Sequence, residues 1–178
     1  MLKPKKFFLT KGSGTAETKL LSFEAALQDA KIASYNLVKV SSIIPPNCQE
    51  ISRKEGLSYI DKGEIVYTVL AENHTSQEDK KISCALGIAR STDTELQGYV
   101  YEHNDEDSNK ETTGKFAEKC AVSMVANAAG LRIKGLESIL NNEELENIIS
   151  ESKYIAIENE LAHGDKYLTV IAAVIFII

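Results

Sequence analysis

The sequence predicts a layered α+β domain, and three observations carry that expectation. Segments dense in β-branched and aromatic residues outnumber helical ones. Two stretches repeat apolar residues at helical spacing, and each of those faces needs a sheet to cover it. The length of 178 residues suits one domain, 1–178, large enough to bury its own core.

Taken in order, residues 7–10 read as a short strand, and Lys11, Gly12, Ser13 and Gly14 as a flexible turn into the first helix. Leu20, Phe23, Leu27 and Ala30 recur at helical spacing and predict an inward face. Residues 35–40 read as a strand, and 47–63, with Gly56 and Gly63, as loop. Strands are predicted at 64–71, 81–90 and 96–103, separated by polar breaks. The longest helix is predicted over 109–129, where Phe116, Ala117, Cys120, Ala121, Met124, Val125 and Ala128 form one stripe and Gly130 marks the stop. Residues 141–150 predict a short helix. Two closing strands, 153–161 and 167–178, read as a hairpin around Ala162, His163, Gly164 and Asp165.

Composition narrows the function. With 43% apolar and 26% charged residues, the chain has the make-up of an ordinary soluble protein. A net charge of -6 argues against nucleic acid or an anionic membrane as the main partner. Cys48, Cys84 and Cys120 are an odd set without C-x-x-C spacing, which predicts neither a disulfide framework nor a zinc site and fits a reducing cytoplasm. After Lys3, Lys5 and Lys6 only three apolar residues follow, too few for a signal-peptide core. The apolar run 168–178 is too short to span a bilayer and reads as a buried strand.

The most informative motif is Ser41-Ser42, which ends the strand-like run 35–40 and precedes Ile43-Ile44-Pro45-Pro46. By itself such a pair is a turn or a helix cap. Its chemistry allows more, because a serine hydroxyl reaches the carbonyl before it and a strained Ser-Ser peptide can undergo an N→O acyl shift. Elimination and hydrolysis then leave a pyruvoyl group in place of Ser42. The sequence contains no G-x-G-x-x-G, no phosphate-binding G-x-x-x-x-G-K-[ST] and no metal-spaced histidine cluster.

Four blocks in order give the motif its context: Gly12-Ser13; Phe23-Glu24-Ala25-Ala26-Leu27; residues 36–46, Asn-Leu-Val-Lys-Val-Ser-Ser-Ile-Ile-Pro-Pro; and residues 96–102, Leu-Gln-Gly-Tyr-Val-Tyr-Glu. Together they resemble the pyruvoyl-dependent arginine decarboxylases from about Gly12 to the end, with an extra segment near 136–152. The resemblance implies a four-layer αββα sandwich made as a self-cleaving proenzyme, split into a small chain 1–41 and a larger chain 42–178. It implies a homotrimer or a dimer of trimers. It also implies decarboxylation of arginine to agmatine and CO₂ through an imine with the Ser42-derived pyruvoyl group, without pyridoxal phosphate or metal. The alternatives are another basic amino acid as substrate, or an unprocessed, non-catalytic trimeric binding protein of the same fold.

Site residues follow from the same blocks. Strand alternation puts Leu96, Gly98, Val100 and Glu102 on one face, so the Glu102 carboxyl ends an apolar row where desolvation would raise its pKa. The family's matching glutamate protonates the substrate Cα after CO₂ leaves; the plainer reading is a strand-end glutamate facing an acidic loop. Asn36 matches an active-site asparagine. Six residues of extended strand span roughly 20 Å, so it cannot serve Ser42 of a straight strand in its own chain. Either the chain bends or a neighbouring subunit supplies it. Glu24 stands where the family carries an aspartate for the substrate guanidinium, one methylene longer; it equally suits a solvent-facing helix position. Ser13 and Leu20 match pocket positions. His103 follows Glu102 but points to the opposite face.

Overall fold

The computed structural model describes residues 1–133, 135–141 and 143–178. Its described strands are β1 (Lys6–Ala16), β2 (Asn36–Lys39), β3 (Ile43–Ile44), β4 (Gln49–Glu50), β5 (Ile65–Thr75), β6 (Lys81–Ser91), β7 (Gly98–Glu106), β8 (Ile149–Glu160) and β9 (Tyr167–Ile177). Its described α-helices are α1 (Lys19–Asp29), α2 (Arg53–Leu57), α3 (Lys110–Ala128) and α4 (Glu144–Ile148). One sheet has the order β2-β5-β9-β1-β4 and the second the order β3-β7-β6-β8. Helix α1 covers the outer face of the first sheet and α3 that of the second. That is the four-layer αββα sandwich expected.

Each layer follows from alternation along the strands. In β9, Val170, Ala172, Val174 and Phe176 enter the core between the sheets with Phe7, Val69, Leu86, Ile88 and Val100. The intervening Ile171, Ala173 and Ile175 face α1, where they meet Phe8, Ala26, Leu27 and Ala30. Burying each such large aliphatic or aromatic side chain contributes about 1.5–3 kcal/mol. With both faces apolar, β9 must be central, and it pairs antiparallel with β1 on one side and β5 on the other.

This corrects the predicted hairpin. Strand β8 belongs to the other sheet, paired to β6, and residues 162–165 carry the chain between sheets. β8 buries little of either face and occupies the edge. The predicted turn at Gly12 is also corrected, because residues 11–14 lie within β1 and pair with Ile171 and its neighbours. A Cβ on Gly12 would lie 2.3 Å from the Ala26 carbonyl oxygen, so glycine serves here to let α1 approach the strand.

Thr18 caps α1 by accepting the Leu21 N–H at 3.3 Å, and Asn109 caps α3 by accepting the Thr112 N–H at 2.8 Å. The inward face of α1 is Ser22, Ala26, Leu27 and Ala30, with Phe23 partly buried. Leu20, predicted inward, is 74% exposed, one turn too early to meet the sheet. On α3, Ala117, Cys120, Ala121 and Val125 are buried as expected, joined by Val122 and Ala126, while Phe116 and Ala128 are exposed. The predicted loop 47–63 contains β4 and the short α2, capped by Ser52. Near the predicted helix 141–150, a 3-10 turn spans Leu136–Asn141, α4 follows, and β8 begins at Ile149; position 142 of that prediction lies outside the described residues. Among the described residues no helix is long and apolar enough to cross a membrane.

Candidate active site

Ser41 and Ser42 lie where the chain leaves the edge of one sheet and joins the edge of the other. β2 runs parallel to β5 up to Lys39, and the Val40 N–H still donates to the Thr68 carbonyl at 2.9 Å. Two residues later the Ser42 carbonyl accepts the Val100 N–H at 2.9 Å, and β3 pairs with β7. Between these anchors the Ile43 N–H donates to the Ser41 carbonyl at 2.7 Å. That is a three-residue γ-turn centred on Ser42, whose φ is not positive, so it is the inverse form. The crossover is short and pinned at both ends by backbone hydrogen bonds.

β7 supplies the second group. Val100 is fully buried between the sheets, and Glu102, two residues along the same face, emerges at the sandwich edge. The Ser42 hydroxyl donates to Glu102 Oε1 at 3.4 Å, a long and therefore weak hydrogen bond. Desolvation pushes the Glu102 pKa above the ordinary carboxylate range and the charge of Glu72 adds to that, whereas Lys39 and the Ser42 hydroxyl oppose it. A groove of about 210 Å³ opens here, lined by Lys39, Leu70, Ala71, Glu72, Glu102 and Asn104, among others. His103 also borders the groove, while its ring packs against α3 with its centroid 4.4 Å from that of Phe116, and burial lowers its pKa.

Of the predicted residues, Ser41, Ser42 and Glu102 come together. Leu20 lines a separate cavity of about 320 Å³ with Lys19, Phe23, Glu72, His74 and Thr169. Asn36 does not join them, since it starts β2 and its Nδ2 donates to the Gly63 carbonyl at 2.6 Å. Glu24 lines neither space and accepts a bond from Gln28 Nε2 at 3.2 Å on its own helix. Ser13 gives its N–H to Asp29 at 3.0 Å and accepts from Asn159 Nδ2 at 3.2 Å, also outside both.

Two groove residues were missed in the sequence. Lys39 is a charged residue three positions before Ser42, read there only as part of a strand. Glu72 falls one residue past the predicted end of its strand, yet β5 continues to Thr75. Lys39 Nζ and Glu72 Oε2 are 3.6 Å apart. The signal for both was the same as for Glu102, a charge in register with an apolar strand.

Residues 6–178 match the family described as pyruvoyl-dependent arginine decarboxylase. A protein of that name from Methanococcoides burtonii is 46% identical, with 72% of this chain and 71% of the relative covered. Pyruvoyl-dependent arginine decarboxylase 2 of Methanosarcina acetivorans is 39% identical over 98% of this chain and 97% of its own. The pyruvoyl-dependent arginine decarboxylase of Thermoplasma volcanium is 37% identical over the same shares. A family match over residues 6–178, together with a relative 39% identical across 98% of the chain, means that this chain belongs to the pyruvoyl-dependent arginine decarboxylase family.

Proposed function

We propose that this protein decarboxylates arginine to agmatine and CO₂ with a pyruvoyl group made from its own Ser42, after cleavage into residues 1–41 and 42–178. The observation that carries the reading is the Ser42 hydroxyl held on Glu102 at the mouth of a groove, within a turn whose carbonyl already accepts a backbone N–H.

Ser42 Oγ adds to the Ser41 carbonyl carbon, and the Ile43 N–H is in place for the oxygen that gains charge. The peptide C–N bond breaks, leaving an ester and a free amine on residue 42. Loss of the residue 42 Cα proton expels the Ser41 carboxylate as a new C-terminus. The enamine left on residue 42 tautomerises, water adds, and ammonia leaves. Serine and glutamate with open space beside them fit a keto group at this position. Once present, that group supplies the electron sink that loss of CO₂ requires. Glu102, whose pKa desolvation raises, is the acid placed to deliver a proton to the substrate Cα.

Asn36 would come from a neighbouring subunit of a trimer or a dimer of trimers. Its distance from its own Ser42 along β2 supports this, as do the exposed apolar Val38, Ile43 and Ile65 around that edge strand. Intact mass of the purified protein tests the reading, together with agmatine release from arginine. Two fragments divided between residues 41 and 42 are expected, and Ser42→Ala should give one inactive chain. A wild-type chain that stays whole after prolonged incubation refutes it.

A further inference from the structure

Lys39 is the last residue of β2, and its backbone is fixed by the register pair with Thr68, three positions before Ser42. Three residues of strand span roughly 10 Å, and the flexible four-carbon stem of a lysine covers much of that distance. The ammonium therefore works beside Ser42. It borders the same groove as Glu102, and its charge acts on the Glu102 carboxyl. Among the described residues it is the only lysine or arginine there. His103 also borders the groove, but it packs on Phe116 and burial favours its neutral form. The other ionisable groups of the groove are the carboxyls of Glu72 and Glu102.

An α-amino acid brings a carboxylate to this place and leaves without it. Acidic side chains repel that carboxylate, whereas the ammonium of Lys39 attracts it. Once CO₂ has gone, the product carries only positive charge, and the same ammonium repels it. The two interactions have opposite signs, so one residue favours substrate and disfavours product.

We propose that Lys39 pairs with the substrate α-carboxylate and so discriminates the amino acid from its amine product, an inference that rests on the arginine reading above. In the free chain Lys39 Nζ lies 3.6 Å from Glu72 Oε2, with both side chains about half exposed. A pair that exposed is weak, so an arriving carboxylate draws the ammonium away from Glu72 at little cost. Because the carboxylate loses its charge as CO₂ departs, the contact belongs to substrate binding and product release rather than to lowering the barrier.

The test uses cleaved Glu102→Gln protein, from which the acid that Lys39 also acts on is absent, and binding is read before turnover. Dissociation constants are measured for arginine, for agmatine, and for argininamide, which keeps the amine and the guanidinium but has a neutral amide in place of the carboxylate. Adding Lys39→Met, once intact mass confirms cleavage, should lower the preference for arginine over argininamide roughly 3–10-fold and tighten the binding of agmatine. Lys39→Arg should retain the preference. Lys39→Gln is the second neutral variant if Lys39→Met stays whole. A preference unchanged in the neutral variant overturns the proposal, and is the result expected if the new carboxylate of residue 41 holds Lys39 instead. Failure of both neutral variants to cleave assigns Lys39 to making the keto group rather than to reading the substrate, and overturns it as well. Failure of wild-type protein to release CO₂ from arginine strikes the arginine reading instead and is seen before any variant is made.

Discussion

Glu102→Gln separates the making of the cofactor from its use. Glutamine retains an acceptor where Glu102 Oε1 receives the Ser42 hydroxyl at 3.4 Å, and a bond that long contributes little, so cleavage should proceed in the variant. What glutamine cannot do is carry a proton to carbon. General acid catalysis accounts for roughly 10²–10⁴-fold in rate, or about 3–5.5 kcal/mol of barrier, and turnover should fall by that amount. Single-turnover CO₂ release after intact-mass confirmation of cleavage is the assay. On its proposed role as the acid, Glu102 acts in the protonated form, so wild-type activity should be retained at low pH and lost as pH rises through its raised pKa. Lys39 favours the ionised carboxylate, so Lys39→Met should move the loss to higher pH. Near-normal turnover in Glu102→Gln would assign the proton to another group, and loss of cleavage would place Glu102 in the acyl shift.

Two further outcomes follow from packing and topology. A Cβ at Gly87 would lie 2.0 Å from the Ala117 carbonyl oxygen, forcing α3 off β6. Gly87→Ala, in an uncleaved Ser42→Ala chain, should cost about 3 kcal/mol and lower Tm by ~6–12 °C, whereas an unchanged melting curve would mean that α3 shifts freely. Mixing cleaved Asn36→Ala chains with Ser42→Ala chains under subunit exchange should restore activity at roughly a quarter of the sites if neighbours supply Asn36. No recovery, with exchange demonstrated by mass, would require the strand to bend within one chain.

Much of this architecture was legible in residue patterns, and its failures share a physical origin. The α3 stripe and the apolar run of β9 announced burial, because a side chain's preference for water is local. Which strand β9 would pair with was not local. A short link between two strands reads as a hairpin unless one knows that β9 needs partners on both sides and β8 does not. Glycines gave a similar ambiguity, since Gly12 in a strand beneath a helix has the same letter as Gly12 in a turn. Alternation correctly placed Glu102 at the end of an apolar row. That it meets Ser42, 60 positions away, came from the resemblance and not from spacing. Glu72 went unread because the predicted strand stopped one residue short of it.

The location of β1 has a consequence for the life of the folded chain. β1 stands on the 1–41 side of the proposed cleavage, yet it lies between β9 and β4 and matches β9 through eleven register pairs, with α1 packed above it. Severing the Ser41–Ser42 bond therefore cuts the covalent link without freeing the fragment. It does change what unfolding means. Before cleavage the chain returns to its fold as one molecule; afterwards the same contacts must be found by two, and recovery depends on their concentration. A denatured and diluted mature protein should lose its small chain and fail to regain its structure at a rate the precursor would achieve. Under the proposed cleavage, folding is ordered in time: the sandwich must close first, because the reaction that completes the site also removes the tether by which it closed.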